Sequence, residues 1–217
     1  METINYGDIT TNYSNILQEI KSRIYIVSNI IKAGIDLSGI NSQIEICALQ
    51  IRKCIELMQY AALIANKKQM NAFYHINVNE MQEFKNIRKK LEEINPYYFP
   101  IPQELLVTDE PDKNGVYELI KNVENKKYLQ KNEVENIWKE CSRVIHANNP
   151  LTIPLDYEPY MKKISCWTRD IMNLLEHHTI LIVGESLKIM LYAESYFDEL
   201  FKQPSVIILE EYNEGLD

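Results

Sequence analysis

The stretch PYMKKISCWTRDIMNLLEHHTILIV, residues 159–183, changes its hydrophobic period part-way along. Tyr160, Ile164, Trp167, Ile171, Leu174 and Leu175 recur at helical spacing and mark one apolar face, with Arg169 opposite. From His178 to Val183 the residues are a short run rich in β-branched side chains, which reads as a strand. A helix opened by Pro159 therefore meets a strand at His177 and His178. Adjacent histidines on a helix point to different sides, so this pair marks a junction rather than two ligands of one metal.

Toward the C-terminus the strand pattern repeats at 188–194 and 205–212, separated by Gly184-Glu185-Ser186 and by residues 201–204. Three such runs predict a small antiparallel meander with a tight hairpin at Gly184. Toward the N-terminus the helical period persists. Tyr13, Leu17, Ile20, Ile24, Val27 and Ile31 define a first long helix behind the cap candidates Asp8, Thr10 and Thr11. Residues 41–66 form a second, with Ile44, Cys47, Ile51, Cys54, Ile55 and Met58 as its stripe. Its second half is apolar on most sides, which predicts a central buried helix antiparallel to the first. Asn79 and Gln82 read as a capping box for a third helix ending at Asn95-Pro96. A fourth spans 133–148, and the helix at 159–177 is the fifth. Trp138, Trp167, Ile51 and Met58 are expected to share one core.

These readings define a mainly α protein of the α+β class: a helical bundle of about five helices with a small C-terminal antiparallel β-meander. A helical domain is expected over 1–177 and a small β subdomain packed on it over 178–217. Residues 96–115 interrupt the helices with four prolines and the aromatic run Tyr97, Tyr98, Phe99. Such an insertion either holds short extended pieces or covers a surface as a lid.

With 46% hydrophobic residues and 25% charged, a chain of this length folds around a sizeable core. Its apolar runs are shorter than a bilayer span and no signal-peptide pattern opens it, so a cytoplasmic location without membrane association is expected. The net charge of −8 argues against a general nucleic-acid coat protein. The cysteines show no CxxC spacing. Cys47 and Cys54 lie two turns apart, about 10 Å, beyond disulfide reach. Reduced thiols, no metal site and no cofactor are expected. Nucleotide loops, nucleophile elbows and zinc-protease motifs are all missing from the sequence.

The chemically capable stretch is EVENIWKECSRVIHANNP, residues 133–150. Val134, Ile137, Trp138, Cys141, Val144 and Ile145 make its apolar stripe, and Cys141 on that stripe is no partner for His146. Arg143 and His146 point away from the stripe at i and i+3, and Asn148 and Asn149 follow as hydrogen-bonding neighbours. One reading makes Arg143 and His146 a catalytic pair with Asn148 and Asn149 in a binding role. The other makes His146, an Asn and Pro150 ordinary termination signals at the negative end of the helix dipole. Arg52 and Glu56 at i,i+4, and the outward Arg169, are further binding candidates. An i,i+4 pair is equally a local ion pair. Arg88-Lys89-Lys90 reads as a solvated helix face.

A bundle of long helices with Arg143-Val144-Ile145-His146 near a helix end, set against IRKCIELMQYAALIAN at residues 51–66, resembles the HEPN superfamily of prokaryotic toxin, toxin–antitoxin and defence proteins. The likeness covers residues 43–177. The family spaces its Arg and His more widely, with a polar residue after the Arg; here two residues intervene and Val144 comes first. The resemblance implies metal-independent RNA cleavage at a dimer interface, with His146 as general acid or base and Arg143 on the scissile phosphate. The competing reading is a non-catalytic interaction subunit of a bacterial defence or stress-response system, with a protein partner or a second copy of the chain bound on its surface. An open cleft where Arg143, His146 and a second Arg or Glu converge favours chemistry, and a dry apolar patch favours a partner.

Overall fold

In a computed structural model the described residues are 6–33, 39–74, 84–107, 118–146, 151, 153–183 and 188–210. They form six helices and five strands: α1 Tyr6–Ala33, α2 Ile40–Ala65, α3 Lys67–Tyr74, α4 Phe84–Ile94, β1 Ile101–Val107, β2 Glu118–Asn122, α5 Val134–Ile145, α6 Tyr160–Leu175, β3 His177–Val183, β4 Lys188–Glu194 and β5 Ser205–Glu210. The mainly α, α+β architecture read from the sequence is the one observed.

The central helix is α2, packed against α1, α5, α6 and α4. Cross-helix contacts give the directions. Cys54 meets the Ile20 carbonyl while Arg23 reaches Gln50, so α1 and α2 are antiparallel. Arg143 meets Tyr160 while Glu140 meets Lys163, so α5 and α6 form an antiparallel hairpin. Asp8, Thr10 and Thr11 lie inside α1, which starts a turn before these cap candidates. Thr10 there donates to the Gly7 carbonyl and Asn12 to the Asp8 carbonyl, bonding back along the helix instead of capping it. The capping box at Asn79 and the hairpin at Gly184 lie outside the described residues.

Helix α3 has no counterpart in the sequence reading. Asn66 ends α2 and bends the chain, its side-chain amide donating to the Ala62 carbonyl while Met70 N–H donates to the Asn66 carbonyl. A second, smaller apolar cluster forms there from Ala62, Leu63, Met70, Ile87, Leu91 and Tyr98. The buried Asn95 amide donates to the Asn66 side chain (2.9 Å) and to the Leu181 carbonyl of β3 (2.6 Å), tying the ends of α2 and α4 to the sheet.

The sheet has the order β2-β1-β3-β4-β5 and every pairing is antiparallel. It is larger than a C-terminal meander because the proline-rich insertion contributes β1 and the stretch just after it contributes β2. Ile101 and Pro102 pair with Thr179 and His178, after which β1 changes partner and pairs residues 103–107 with β2. Pro102, which has no N–H to give, sits at that change of partner. Ile180, Ile182, Leu191 and Ala193 share one continuous core with α1, α2, α5 and α6. Ile51 and Met58 are buried in this core, whereas Trp138 and Trp167 pack against it half-buried. The indole N–H of Trp138 donates to Glu56 at 2.9 Å, and such a polar handle holds the ring at the edge of the core.

Three polar side chains of α1 hold the segment between β4 and β5. Ser14, Gln18 and Lys21, spaced at i, i+4 and i+7, donate to the carbonyls of Pro204, Leu200 and Lys202. Lys21 is 1% exposed, and burial pushes its ammonium pKa down while Glu176 and Glu199 oppose the shift. Beneath this segment His178 is fully buried, with Nδ1 against the Leu175 carbonyl at 3.0 Å and Nε2 against the Tyr13 hydroxyl at 2.8 Å. A carbonyl only accepts, so Nδ1 carries the proton and Nε2 accepts from Tyr13.

Candidate functional site

The α5–α6 hairpin carries an open surface with several chemically capable side chains. Register along it is set by Arg143 opposite Tyr160 and Glu140 opposite Lys163. Arg143, exposed on α5, donates to the hydroxyl of the buried Tyr160. The Tyr160 ring also lies 5.9 Å from the Arg143 guanidinium carbon and 5.0 Å from Lys163 Nζ, within cation–π range of both. Lys163 is paired with Glu140 at 2.6 Å. Among the described residues no carboxylate forms an ion pair with Arg143; its charge rests on a neutral phenol.

Beside this cluster opens a cleft of about 450 Å³, walled by Arg143, Lys163, Tyr160 and the apolar run Ile153, Pro154, Leu155. The run is fixed from below, because Leu155 and Tyr157 pack on the core and the Tyr157 hydroxyl donates to Glu45 of α2 at 2.9 Å. The two large apolar residues before Leu155 stand outward: Leu151 is 92% exposed and Ile153 94%. Pro159 and Lys163 also line a second cleft of about 380 Å³ with Ile137, Trp167, Lys162 and Asp170. The two clefts are thus one groove following α6.

His146 is the C-cap residue of α5, with extended backbone (φ −83°, ψ 140°) and its N–H on the Ser142 carbonyl. It is exposed but lines neither cleft. Asn148 and Asn149 lie outside the described residues. Arg52 and Glu56 pair at 2.9 Å on the α2–α5 face, where the Arg52 guanidinium stacks 4.7 Å above the Trp138 ring and Glu56 accepts the indole N–H. They are occupied with α5 and stand apart from the groove. Arg169 pairs with the buried Asp170 at 3.0 Å, and Lys127 reaches the same carboxylate at 3.2 Å. That cluster anchors the groove's far end, where Leu129 N–H also donates to the Asp170 carbonyl.

The structure thus brings Arg143 together with Tyr160, Lys163 and Glu140, none of which the sequence marked as functional. Tyr160 counted there as core, which is correct for its ring and silent about its hydroxyl. Burial pushes the Cys47 thiol up to about 11 and that of Cys141 up to about 12, so both stay protonated near neutrality. Among the described residues no group of three or more His, Cys, Asp or Glu side chains is placed to hold a metal ion, and no helix is long and apolar enough to cross a membrane. Comparison with protein-family models, with curated proteins and with solved structures gives no match.

Proposed function

We propose that the protein is a non-catalytic interaction subunit of a bacterial defence or stress-response system, and that the α5–α6 groove is its docking surface. The observation that carries this reading is Ile153, over nine-tenths exposed while it lines an open cleft, with Leu151 equally exposed two residues before it. Large apolar side chains held outward beside a cleft mark surfaces that bind other proteins. In this reading His146 only ends α5.

A second reading keeps the HEPN-like, metal-independent endoribonuclease, with Arg143 on a phosphate and His146 as acid or base. Its support is that Arg143 lines an open cleft and forms no ion pair with a carboxylate among the described residues, and that His146, three residues on, is exposed. One experiment separates the two. The protein is incubated with a mixed RNA pool in EDTA, alone and with the products of neighbouring genes, and the same samples are sized by light scattering. The interaction reading expects whole RNA and a complex heavier than the free chain, lost in Ile153→Asp. RNA cleavage abolished by His146→Ala and by Arg143→Ala, with thermal unfolding unchanged, would replace that reading with the nuclease.

A further inference from the structure

Among the described residues three buried side-chain atoms have no hydrogen-bond partner, and two of them are the amide oxygen and nitrogen of Gln59 on α2. The third, Gln18 Oε1, belongs to an amide whose other end already donates to the Leu200 carbonyl. Gln59 is only 5% exposed, and both ends of its amide are idle. Two turns further along α2 the buried Asn66 amide donates to the Ala62 carbonyl and accepts from Asn95, so a buried amide on this helix can be fully engaged by protein groups. Burying an amide with neither end bonded forfeits its hydration without compensation. Native proteins satisfy such groups with ordered water where no side chain or backbone reaches them.

Gln59 lines a slot of about 10 Å³, closed by α2 on one side and by Val134 and the run Tyr98, Phe99, Pro100 on the other. Ala62 and Tyr98 of its wall belong to the smaller apolar cluster, Ile55 and Val134 to the main core, so the slot lies on the seam between the two. Its size decides the ligand. About 10 Å³ is room for one water and too little for an organic group. A hard cation takes six or more oxygens, whereas the lining side chains hold two, those of one amide and one phenol. No charged side chain lines the slot to draw an anion in.

We propose that this slot is the binding site of a single buried water, held by Gln59 at two points. The water oxygen accepts from Nε2 and one of its O–H groups donates to Oε1. The N–H on the oxygen side of a primary amide and that oxygen can close a ring through one water, so the two bonds that a buried water needs require no other side chain. The water is then a polar joint between α2 and the insertion in an otherwise apolar seam. This site does not depend on the role of the α5–α6 groove.

Two measurements on the whole chain test it. The first is a crystal structure fine enough to place ordered water, which should show one water within about 3.2 Å of both Gln59 Oε1 and Nε2. The second is magnetisation transfer from water to side-chain amides in ¹⁵N-labelled protein. The Gln59 NH₂ pair, assigned by its loss in Gln59→Met, should show water cross peaks of opposite sign in the laboratory and rotating frames, the mark of a bound water rather than of proton exchange. The exposed amide of Gln130 should show none. Because the crystal structure needs no variant, a Gln59→Met chain that fails to fold leaves the test standing. A dry slot, a Gln59 amide bonded at both ends to protein groups, or a Gln59 signal no different from that of Gln130 would overturn the proposal.

Discussion

At the scale of single residues, His178 is a group whose chemistry burial alters within a pH range that can be tested. Burial holds its pKa at about 4, down from the 6.5 of a free imidazole, with the Leu175 carbonyl acting in the opposite sense. Because the folded value is depressed, the unfolded chain binds more protons between these two values, so folding stability falls as pH drops through that window. Above pH 6.5 the neutral ring contributes its full share, and below about 4 the loss is complete at no more than about 3 kcal/mol. Urea midpoints followed from pH 7.5 to 4 should decline in the wild type and decline less in His178→Gln. Equal slopes in the two proteins would contradict the buried neutral histidine. The sequence suggested only that His177 and His178 mark a junction. Their separate fates, His178 inward on Tyr13 and His177 stacked on Tyr192 with a 2.9 Å hydrogen bond, depend on cross-strand register that no local pattern encodes.

At the scale of elements, the helices were legible because their stripes are long: α2 and α6 end within two residues of the bounds read from the sequence. The three C-terminal strands were legible because a period of two replaces 3.6 after Leu175. For residues 96–115 the sequence left short extended pieces or a lid open, and β1 is such a piece; β2 was not read, and prolines with a short alternation hide the switch of β1 from β3 to β2. Helix α3 was missed because Asn66 looks like an ending and is a bend. Trp138 was placed wholly in the core from its stripe position, but its bond to Glu56 keeps it half-buried. The joint between these elements is Asn95. Asn95→Ala should cost roughly 2 to 4 kcal/mol, since it strands the buried Asn66 oxygen and the Leu181 carbonyl while removing the acceptor for Tyr97 N–H. Chemical denaturation is the check; a loss under about 0.5 kcal/mol, typical of a surface change, would mean the amide joins nothing.

At the scale of the whole molecule, helices and sheet share one core, and the groove along α6 lies on its outside. The sequence reading picked out Arg143 from its angle to the stripe. It could not find Tyr160, Lys163 or Lys162, because their grouping follows from the antiparallel packing of α5 on α6. Ile153 lines one of the clefts while more than nine-tenths exposed, and Leu151 just before it is as exposed. Hydrogen exchange of the chain, free and bound to a protein captured with it by affinity purification, tests the proposed docking surface most directly. The account predicts that binding slows exchange in residues 153–163 and at the C-terminal end of α5, while the β5 edge and residues 196–204 are unchanged. Protection confined to β5, to residues 196–204 or to the α2–α5 face around Arg52 would contradict it.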